Sequence, residues 1–371
     1  MSKKLLPLFL LVLVVLTLGL AGCGGADEAT EAPPPPPEPT DVPAPVVSRP
    51  SDVLVALRAA ALNHLDLWTL RGLPGLALSF PHILGADGAG VVADVGSDVR
   101  RVRPGDRVML NPGVSCYRCA DCDRGDHSLC ESYKLLGEHV PGTFAEYIVV
   151  PEQNLAAIPA LAEGMAPISW AEAAAFSLVT LTAWRMLVTR AGVRPGETVL
   201  IWGVGGGVSL TALRVAKLCG ARVIVTSSSA AKLAAARKLG ADVTIDHATQ
   251  DVVAEVRTLT AKRGVDVIVE NVGAVTWERS LKMLARRGRL VTCGATTGPR
   301  VELDVRRLFW YQWNILGSTM GNAEEFGQIA ALLGQGQLRP VIDSTFPLDR
   351  GAEALERLGR AEQFGKIVLE L

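Results

Sequence analysis

Net charge, aromatic residues and histidines are all scarce in this sequence. The 37 basic and 38 acidic residues give a formal net charge of -1, and 5% of the residues are aromatic. Because no excess of positive charge is present to attract phosphates, we do not expect nucleic acid as a partner. Only five histidines and seven cysteines occur. Four of these cysteines lie in one short segment, which is typical of a metal site rather than of a scattered disulfide framework.

The chain is too long for a single hydrophobic core. It has 371 residues, of which 49% are hydrophobic and 20% are charged, and this is the composition of an ordinary folded protein. Single cores stop growing at about 250–300 residues. We therefore expect two domains.

The amino terminus has the pattern of a bacterial lipoprotein signal. Lys3 and Lys4 precede an apolar run over residues 5–20, and Leu-Ala-Gly then leads to Cys23. A charged region, an apolar region and small residues in this order are typical of a secretory signal. The last four residues resemble the lipobox, which implies that residues 1–23 are the signal and that Cys23 is lipidated. The alternative is an uncleaved membrane anchor, since about 17–25 apolar residues span a bilayer.

Residues 24–50 are predicted to be a linker. They are rich in Ala, Glu and Pro and contain five consecutive prolines. Such a segment buries too little apolar surface to offset the entropy lost on ordering, so we expect a largely disordered tether. Signal and tether together predict a membrane-attached protein of the bacterial cell envelope.

The remaining chain combines two kinds of pattern. Short alternating strands with Gly and Pro turns precede residue 150 and predict a small β-barrel. After about residue 171, apolar strands alternate with helical segments, which predicts an α/β fold with a parallel doubly wound sheet. The predicted strands are 52–59, 88–95, 106–110, 144–150, 198–203, 222–227, 243–246, 266–270, 289–293, 314–319, 341–346 and 366–371.

A glycine cluster follows the strand at 198–203 and precedes a helical segment at 210–218. Glycines at this place allow a tight turn and bring backbone N–H groups at a helix end close to a pyrophosphate. A second strand begins about twenty residues later, and this context favours a dinucleotide site over a merely structural turn. The last glycine of the usual pattern is Ser209 here. The predicted cofactor-binding residues of the cluster are Gly203, Gly205, Gly206, Gly207 and Val208.

The second strand of this unit does not end in the acidic residue that would bind the ribose hydroxyls of NAD. Ser227 and Ser228 stand at this place, and Lys232 follows. Without a carboxylate to repel a 2′-phosphate, and with hydroxyls and an ammonium group nearby, NADP(H) is favoured as the cofactor. NAD(H) is the alternative, because a serine run also fits a solvated loop.

Four cysteines form the second motif. Cys116, Cys119, Cys122 and Cys130 lie within fifteen residues. Four thiolates at about 2.3 Å complete the tetrahedral shell of Zn²⁺ and leave no position for a substrate, so we predict one structural zinc. The alternatives are an iron–sulfur cluster and, in an exported chain, disulfides. The zinc lobe is predicted to span residues 112–133.

The order of these motifs resembles the medium-chain dehydrogenase/reductase superfamily, in its zinc-binding alcohol dehydrogenase and quinone oxidoreductase branches. The resemblance covers about residues 52–371 and rests on the NHLD, GADGAG, four-cysteine, glycine-cluster, LVTCGATTG and ILGSTMG segments. It implies a Rossmann domain, residues 176–320, inserted in a GroES-like catalytic domain, residues 51–175 plus 321–371. It also implies a small-molecule substrate and a homodimer or homotetramer.

Alcohol dehydrogenases of this family bind a catalytic zinc through Cys, His and Cys, and this chain has none of the three. The corresponding positions are Asn63, Ala86 and Leu178. A metal ion would polarise a carbonyl group as a Lewis acid. A conjugated acceptor needs no metal, because the charge that develops on hydride addition spreads to a distant oxygen that hydrogen-bond donors stabilise.

We therefore interpret the chain as an NADP(H)-dependent quinone, enone or carbonyl reductase that works without catalytic zinc. Asn63 is the candidate hydrogen-bond donor, His64 the candidate proton source and Asp66 a retained acid; a structural role is the alternative for His64. A zinc-type alcohol dehydrogenase-like enzyme is the second interpretation.

A non-catalytic lipoprotein binding module is the third interpretation. The signal and linker stand where family members have a strand pair, so the barrel would lack edge strands. Nicotinamide cofactors and reduced thiolates also belong to the cytoplasm, the usual location of the family, whereas the signal directs export.

Overall fold

The computed structural model describes residues 41–73, 75–161 and 164–371. The predicted signal, most of the linker and the lipidation site Cys23 lie outside these residues. In chain order the strands are β1 (Asp52–Ala61), β2 (Asp87–Val95), β3 (Arg107–Leu110), β4 (Gly113–Val114), β5 (Lys134–Leu135), β6 (Tyr147–Pro151), β7 (Leu155–Ala157), β8 (Thr198–Ile201), β9 (Arg222–Ser227), β10 (Val243–Asp246), β11 (Val265–Glu270), β12 (Leu284–Thr292), β13 (Asn314–Gly317), β14 (Ile342–Pro347) and β15 (Lys366–Glu370). The helices are α1 (His64–Arg71), α2 (Ala120–Asp123), α3 (Trp170–Trp184), α4 (Gly207–Leu218), α5 (Ala230–Lys238), α6 (Val252–Leu259), α7 (Ala274–Met283), α8 (Val305–Tyr311), α9 (Ala323–Gly334) and α10 (Gly351–Gly359).

One sheet contains strands from both ends of the described chain. Its order is β14-β15-β1-β2-β3-β7, and β6 also pairs with β1. Strand β1 is central, because it pairs antiparallel with β2 along most of its length, with β6 near its start and with β15 at its end. The end of β1 therefore lies beside the last strand of the chain.

The second sheet is parallel and has the order β10-β9-β8-β11-β12-β13. The strand order reverses between β8 and β11, and α4 begins just beyond the end of β8. In open parallel sheets, ligands bind outside the carboxyl ends of the strands at such a reversal. The predicted fold class, a doubly wound parallel sheet combined with a GroES-like catalytic domain, is confirmed.

The sequence pattern predicted most strands to within a few residues but did not predict α1. This helix is only eight residues long, and two residues separate it from the end of β1. Strand β12 starts at Leu284, five residues before the predicted strand at 289–293. It does so because Leu284 already pairs with Val265 of β11, ahead of a shift in register.

Helix α3 is the apolar centre of the fold. It contacts β1, β2, β15, α4 and α9, and ten of its fifteen side chains are buried. Ser169 and Glu172 start it with a capping box. Together with the π-helical turn that follows it, Trp170–Arg190 is the one helix in the described ranges that is long and apolar enough to cross a membrane. Because 78% of its most apolar window is buried within the fold, its apolar character is accounted for by the core.

Alanine substitutions at two glycines test the close packing of β1 against β2. Gly90 lies in this contact, and Gly327 is the control outside it. A Cβ at Gly90 would lie 2.2 Å from the carbonyl oxygen of Ala56, whereas a Cβ at Gly327 in α9 would meet no atom within 4 Å. We expect Gly90→Ala to lower the free energy of unfolding by about 1–3 kcal/mol through overpacking. Gly327→Ala should raise it by about 0.5–1 kcal/mol, because alanine is the better helix former. Urea unfolding of both variants measures the difference, and equal effects would contradict this packing.

Candidate active site

The glycine cluster forms a tight turn between β8 and α4. Gly203 and Gly205 have φ angles of 63° and 144°, which favour glycine. The Ser209 hydroxyl donates to the carbonyl oxygens of Gly203 and Gly206, each at 3.0 Å, so the serine in place of the last glycine holds the turn closed. Helix α4 begins at Gly207, and its first N–H groups point towards the turn, which is the arrangement that binds a pyrophosphate.

The carboxyl-terminal part of the chain covers this turn. The backbone N–H of Gly365 donates to the carbonyl oxygen of Gly205 at 2.9 Å. Lys232, predicted to bind the cofactor, donates its ammonium group to the carbonyl oxygen of Ala361 at 2.6 Å. Burial lowers the pKa of Lys232. The predicted cofactor residues at the turn and in α5 are thus both connected to the segment 361–365, which the sequence alone did not indicate.

The end of β9 presents hydroxyl groups. Ser227 is 5% exposed, and its Oγ accepts the N–H of Ser229 at 3.2 Å. Ser229 caps α5, so Ser228 is the exposed residue of the three. The nearest acid by strand register is Asp246, opposite Ser227 on β10, and its Oδ1 accepts the N–H two residues further on at 2.9 Å.

The predicted catalytic residues surround a buried ion pair. Lys366 Nζ lies 2.9 Å from Asp87 Oδ2, and the two side chains are 4% and 0% exposed. Lys366 also donates to Asn63 Oδ1 at 2.5 Å. The Asn63 Nδ2 donates to Asp87 Oδ2 at 3.0 Å and to the carbonyl oxygen of Ala61 at 3.3 Å. Both amide hydrogens of Asn63 are therefore used inside the protein.

The three positions that the resemblance assigns to a catalytic metal lie around this ion pair. Asn63 Oδ1 accepts a hydrogen bond from the Lys366 ammonium group. Ala86 directly precedes Asp87 in the chain. The backbone N–H of Leu178 donates to Asp87 Oδ1 at 2.8 Å. Asparagine, alanine and leucine offer neither a thiolate nor an imidazole. The positive charge beside Asn63 comes from Lys366.

Asp66, in the first turn of α1, is close enough to Lys366 and Asp87 for their charges to affect it. Its two oxygens accept the backbone N–H groups of Asn63, at 2.7 Å, and Gly85, at 3.1 Å. Burial raises the pKa of Asp66 to about 7, although both hydrogen bonds and the charge of Lys366 act to lower it. The carboxyl group thus joins α1 to the start of the GADGAG segment.

His64 is the first residue of α1. Burial, the charge of Lys366 and the charge of Arg71 lower the pKa of His64, which favours the neutral imidazole. Its ring centroid lies 6.3 Å from that of Trp68. His64, Asn63 and Asp66 thus lie close together, and the structure adds Lys366, which sequence reasoning did not single out.

The four cysteines come together in a lobe that contains β4, α2 and β5. The Sγ atoms of Cys116, Cys119, Cys122 and Cys130 all lie within 4.8 Å of one another, and this is the one such cluster of metal-ligating side chains in the part of the chain that is described. Sulfurs at about 2.3 Å from a zinc ion would be roughly 3.8 Å apart, so the thiols fit a tetrahedral ion. Cys116 and Cys122 sulfurs are 4.0 Å apart, which is too far for a disulfide.

The surroundings of Cys130 in the lobe favour the thiolate form of its side chain. Burial acts to raise the pKa of the Cys130 thiol, but hydrogen bonds from the backbone of Cys116 and from Ser132 outweigh this effect and lower the pKa to about 6. Thiolates, not thiols, bind metal ions. The donor set and its surroundings therefore suit a structural metal.

A second buried cation attaches this lobe to the helices behind it. Arg185 Nη1 lies 2.9 Å from Glu325 Oε2 in α9, and its Nη2 lies 3.4 Å from Asp126 Oδ1 in the lobe. The Arg185 and Glu325 side chains are 8% and 5% exposed. Sequence reasoning missed Arg185 and Lys366, because each pairs with an acid far away along the chain. The available signal was a cation within an otherwise apolar segment.

Two lysine–aspartate pairs among the described residues, one buried and one exposed, allow the effect of burial on stability to be measured. Lys366→Met leaves the Asp87 carboxylate buried without a cation, so we expect the free energy of unfolding to fall by about 3–5 kcal/mol. The control is Lys217→Met, which removes a pair of similar length, 2.8 Å, with side chains 34% and 37% exposed. The control should cost about 0–1 kcal/mol. Denaturant titration of both variants gives the comparison, and similar losses would argue against a special role for burial.

Comparisons with known proteins agree with this fold. Residues 49–160 match the family profile of the alcohol dehydrogenase GroES-like domain, and residues 207–335 match that of zinc-binding dehydrogenases. A zinc-type alcohol dehydrogenase-like protein from Schizosaccharomyces pombe is 33% identical over 87% of this chain and 91% of its own. A crotonyl-CoA reductase from Streptomyces avermitilis is 30% identical over 88% of this chain and 80% of its own.

Solved structures give the same result. A crystal structure of an NAD-dependent alcohol dehydrogenase has a TM-score of 0.84 and 44% identity, and it covers 90% of this chain and 95% of its own. The crystal structure of AibC has a TM-score of 0.80 and 37% identity, with 89% and 90% of the two chains covered. The chain therefore belongs to the zinc-type alcohol dehydrogenase-like family and is an oxidoreductase of the medium-chain dehydrogenase type.

Proposed function

We propose that this oxidoreductase transfers hydride between NADP(H) and an activated alkene, a quinone or a carbonyl group without a catalytic zinc. The observation that carries the proposal is the set of side chains around the buried ion pair. Asn63, Ala86 and Leu178 offer no thiolate or imidazole, and the Asn63 oxygen is bound to an ammonium group. A crotonyl-CoA reductase among the relatives is named for the reduction of a conjugated acceptor, which fits the proposed chemistry.

In this proposal, the residues of the chain stabilise charge and supply a proton. The reduced nicotinamide, when bound, supplies the hydride. Lys366 has three N–H donors, and Asn63 and Asp87 take two of them, so one N–H donor is left for an oxygen that becomes negative. His64 would then relay the proton: one ring nitrogen gives its proton to the reduced product while the other ring nitrogen takes one from water. The Asn63 amide acts as a fixed partner of Lys366, because its own donors are occupied.

The cofactor preference rests on the end of β9. Ser228 is exposed at the place where NAD-binding enzymes carry an acid, and no carboxylate follows β9 there to repel a 2′-phosphate. Several relatives are named NAD-dependent alcohol dehydrogenases, so NAD(H) is the competing cofactor. Alcohol dehydrogenase-like activity is the second candidate function, because those names favour it.

We propose further that the four cysteines hold one structural zinc. Their sulfurs saturate a tetrahedral ion and leave no open position, so the ion would hold the lobe together and take no part in hydride transfer. We also expect a small-molecule substrate and a homodimer or homotetramer. Attachment to the cell envelope through Cys23 is a separate proposal that depends on the amino-terminal signal.

Metal analysis and activity together test the zinc-free mechanism. We expect one zinc per chain in the purified full-length protein and oxidation of NADPH by a quinone or an enone. Lys366→Met should lower kcat strongly in those molecules that remain folded, while Lys217→Met should leave it unchanged. A second zinc per chain, or activity with alcohols that depends on added zinc, would contradict the mechanism.

Ser228→Asp tests the cofactor preference. A carboxylate at this exposed position should repel a 2′-phosphate and accept the ribose hydroxyls of NADH, so we expect affinity for NADPH to fall at least about tenfold relative to NADH. Ser228→Asn is the neutral control of similar size. Fluorescence titration with both cofactors measures the ratio, and a wild-type protein that prefers NADH would show that the preference was wrongly assigned.

A further inference from the structure

Glu270 is a fully buried carboxylate at the carboxyl end of β11. Its Oε1 accepts the backbone N–H groups of Val272 and Gly273, at 2.8 and 3.1 Å. The hydroxyl of Thr276 donates to both oxygens at 2.9 Å, and the hydroxyl of Ser280 donates to Oε2 at 2.9 Å. A carboxylate with this many donors fixes the backbone that carries them. The turn at residues 271–273 therefore has one defined shape.

The same network reaches the glycine turn. Ser280 accepts a hydrogen bond from the indole Nε1 of Trp202 at 2.8 Å, and Trp202 directly precedes Gly203. Ser280 thus connects Glu270 with the end of β8. The turns that follow β8 and β11 lie on the two sides of the strand-order reversal, where a dinucleotide binds in sheets of this kind.

A third turn, after β12, holds the turn at 271–273 from its other side. The backbone N–H and the hydroxyl of Thr297 both donate to the carbonyl oxygen of Val272 at 2.7 Å. The hydroxyl of Thr296 donates to the carbonyl oxygen of Asn271 at 3.1 Å. The backbone carbonyl groups of Asn271 and Val272 are therefore occupied.

The side chain of Asn271 differs from these groups. Its Oδ1 is buried and has no hydrogen-bond partner among the described residues. A Cβ at Gly294 would lie 3.3 Å from the Asn271 carbonyl oxygen and 3.8 Å from the ring of Trp68 in α1. Asn271 thus lies at the carboxyl edge of the parallel sheet, where Trp68 of α1 comes close to Gly294. A buried acceptor without a donor costs free energy, which a ligand that donates would recover.

We propose that Asn271 binds the nicotinamide half of the dinucleotide through its amide oxygen and that Glu270 is the positioning residue that holds Asn271 in place. The inference rests on the proposed function, which places a dinucleotide at this edge. The nicotinamide half carries the donors that Asn271 Oδ1 lacks, in its carboxamide and its ribose hydroxyls. The adenine half would bind at the end of β9, on the other side of the glycine turn. The two halves can therefore be tested separately.

Asn271→Ala removes the unpaired oxygen without breaking a hydrogen bond that the protein makes, so we expect it to fold like the wild type. Its affinity for NADPH should fall about fivefold to tenfold, which corresponds to one hydrogen bond to a buried acceptor. Its affinity for 2′-phospho-ADP-ribose, which lacks the nicotinamide, should be unchanged. Calorimetric titration with both ligands measures the ratio, and NADH with ADP-ribose serves if the chain prefers NAD(H).

Two variants of Glu270 test the positioning role. Glu270→Gln keeps an oxygen for the backbone N–H groups of Val272 and Gly273, so its ratio of affinities should stay near that of the wild type. Glu270→Leu keeps none, and its affinity for NADPH should fall at least as far as that of Asn271→Ala while the affinity for 2′-phospho-ADP-ribose stays the same. A purely structural role would lower the melting temperature of Glu270→Leu and leave the ratio unchanged.

The outcomes separate this inference from the proposed function. A wild type that binds neither ligand would refute the proposed function and the inference with it. A wild type that binds both, with Asn271→Ala indistinguishable from it, would overturn only the assignment of Asn271. Equal losses for both ligands in Asn271→Ala would also overturn it, because the effect would not be specific to the nicotinamide half.

Discussion

The ion pair between Lys366 and Asp87 joins two strands that are 279 residues apart in the chain. A charged group loses several kcal/mol of hydration when it is buried, and only a close partner of opposite charge with further hydrogen bonds offsets this loss. Each member is therefore stable in the interior only while the other is present. Because Gly365, which directly precedes Lys366, is hydrogen-bonded to Gly205, the segment that supplies Lys366 also holds the glycine turn. The geometry of the candidate site depends on this one contact.

The ion pair also underlies the chemistry that we propose for the site. Asp87 accepts three donors, from Lys366, Asn63 and the backbone of Leu178, and Asn63 has no free donor. In the function that we propose, the remaining N–H of Lys366 would stabilise an oxygen that gains negative charge when hydride adds to a conjugated carbon. The residues at the three metal-ligand positions and the saturation of Asn63 are the two observations that support our proposal of a zinc-free reaction.

A second buried cation, Arg185, fixes the position of the four-cysteine lobe. Arg185 joins Glu325 of α9 to Asp126, which lies between the second pair of cysteines in the four-cysteine lobe. A lobe built mostly of loops has little apolar surface of its own to bury, so a metal ion and a buried ion pair are suitable ways to fix it. Both cations lie in apolar surroundings, and both connect segments that the hydrophobic pattern alone would not bring together.

The sequence by itself determined the fold class, most strands, the glycine turn, the four-cysteine cluster and the absence of the three metal ligands. These features depend on local spacing: alternation along a strand, glycine where a turn needs it, and thiols a few residues apart. Only the tertiary structure decided that Lys366 meets Asn63, that Lys232 contacts Ala361, and that the side-chain oxygen of Asn271 is unpaired. Such contacts join residues that are distant in the chain. The sequence shows that a charged group or an amide is present, but it does not show which residue will be its partner. Burial selects that partner, because in the interior a polar group must find one.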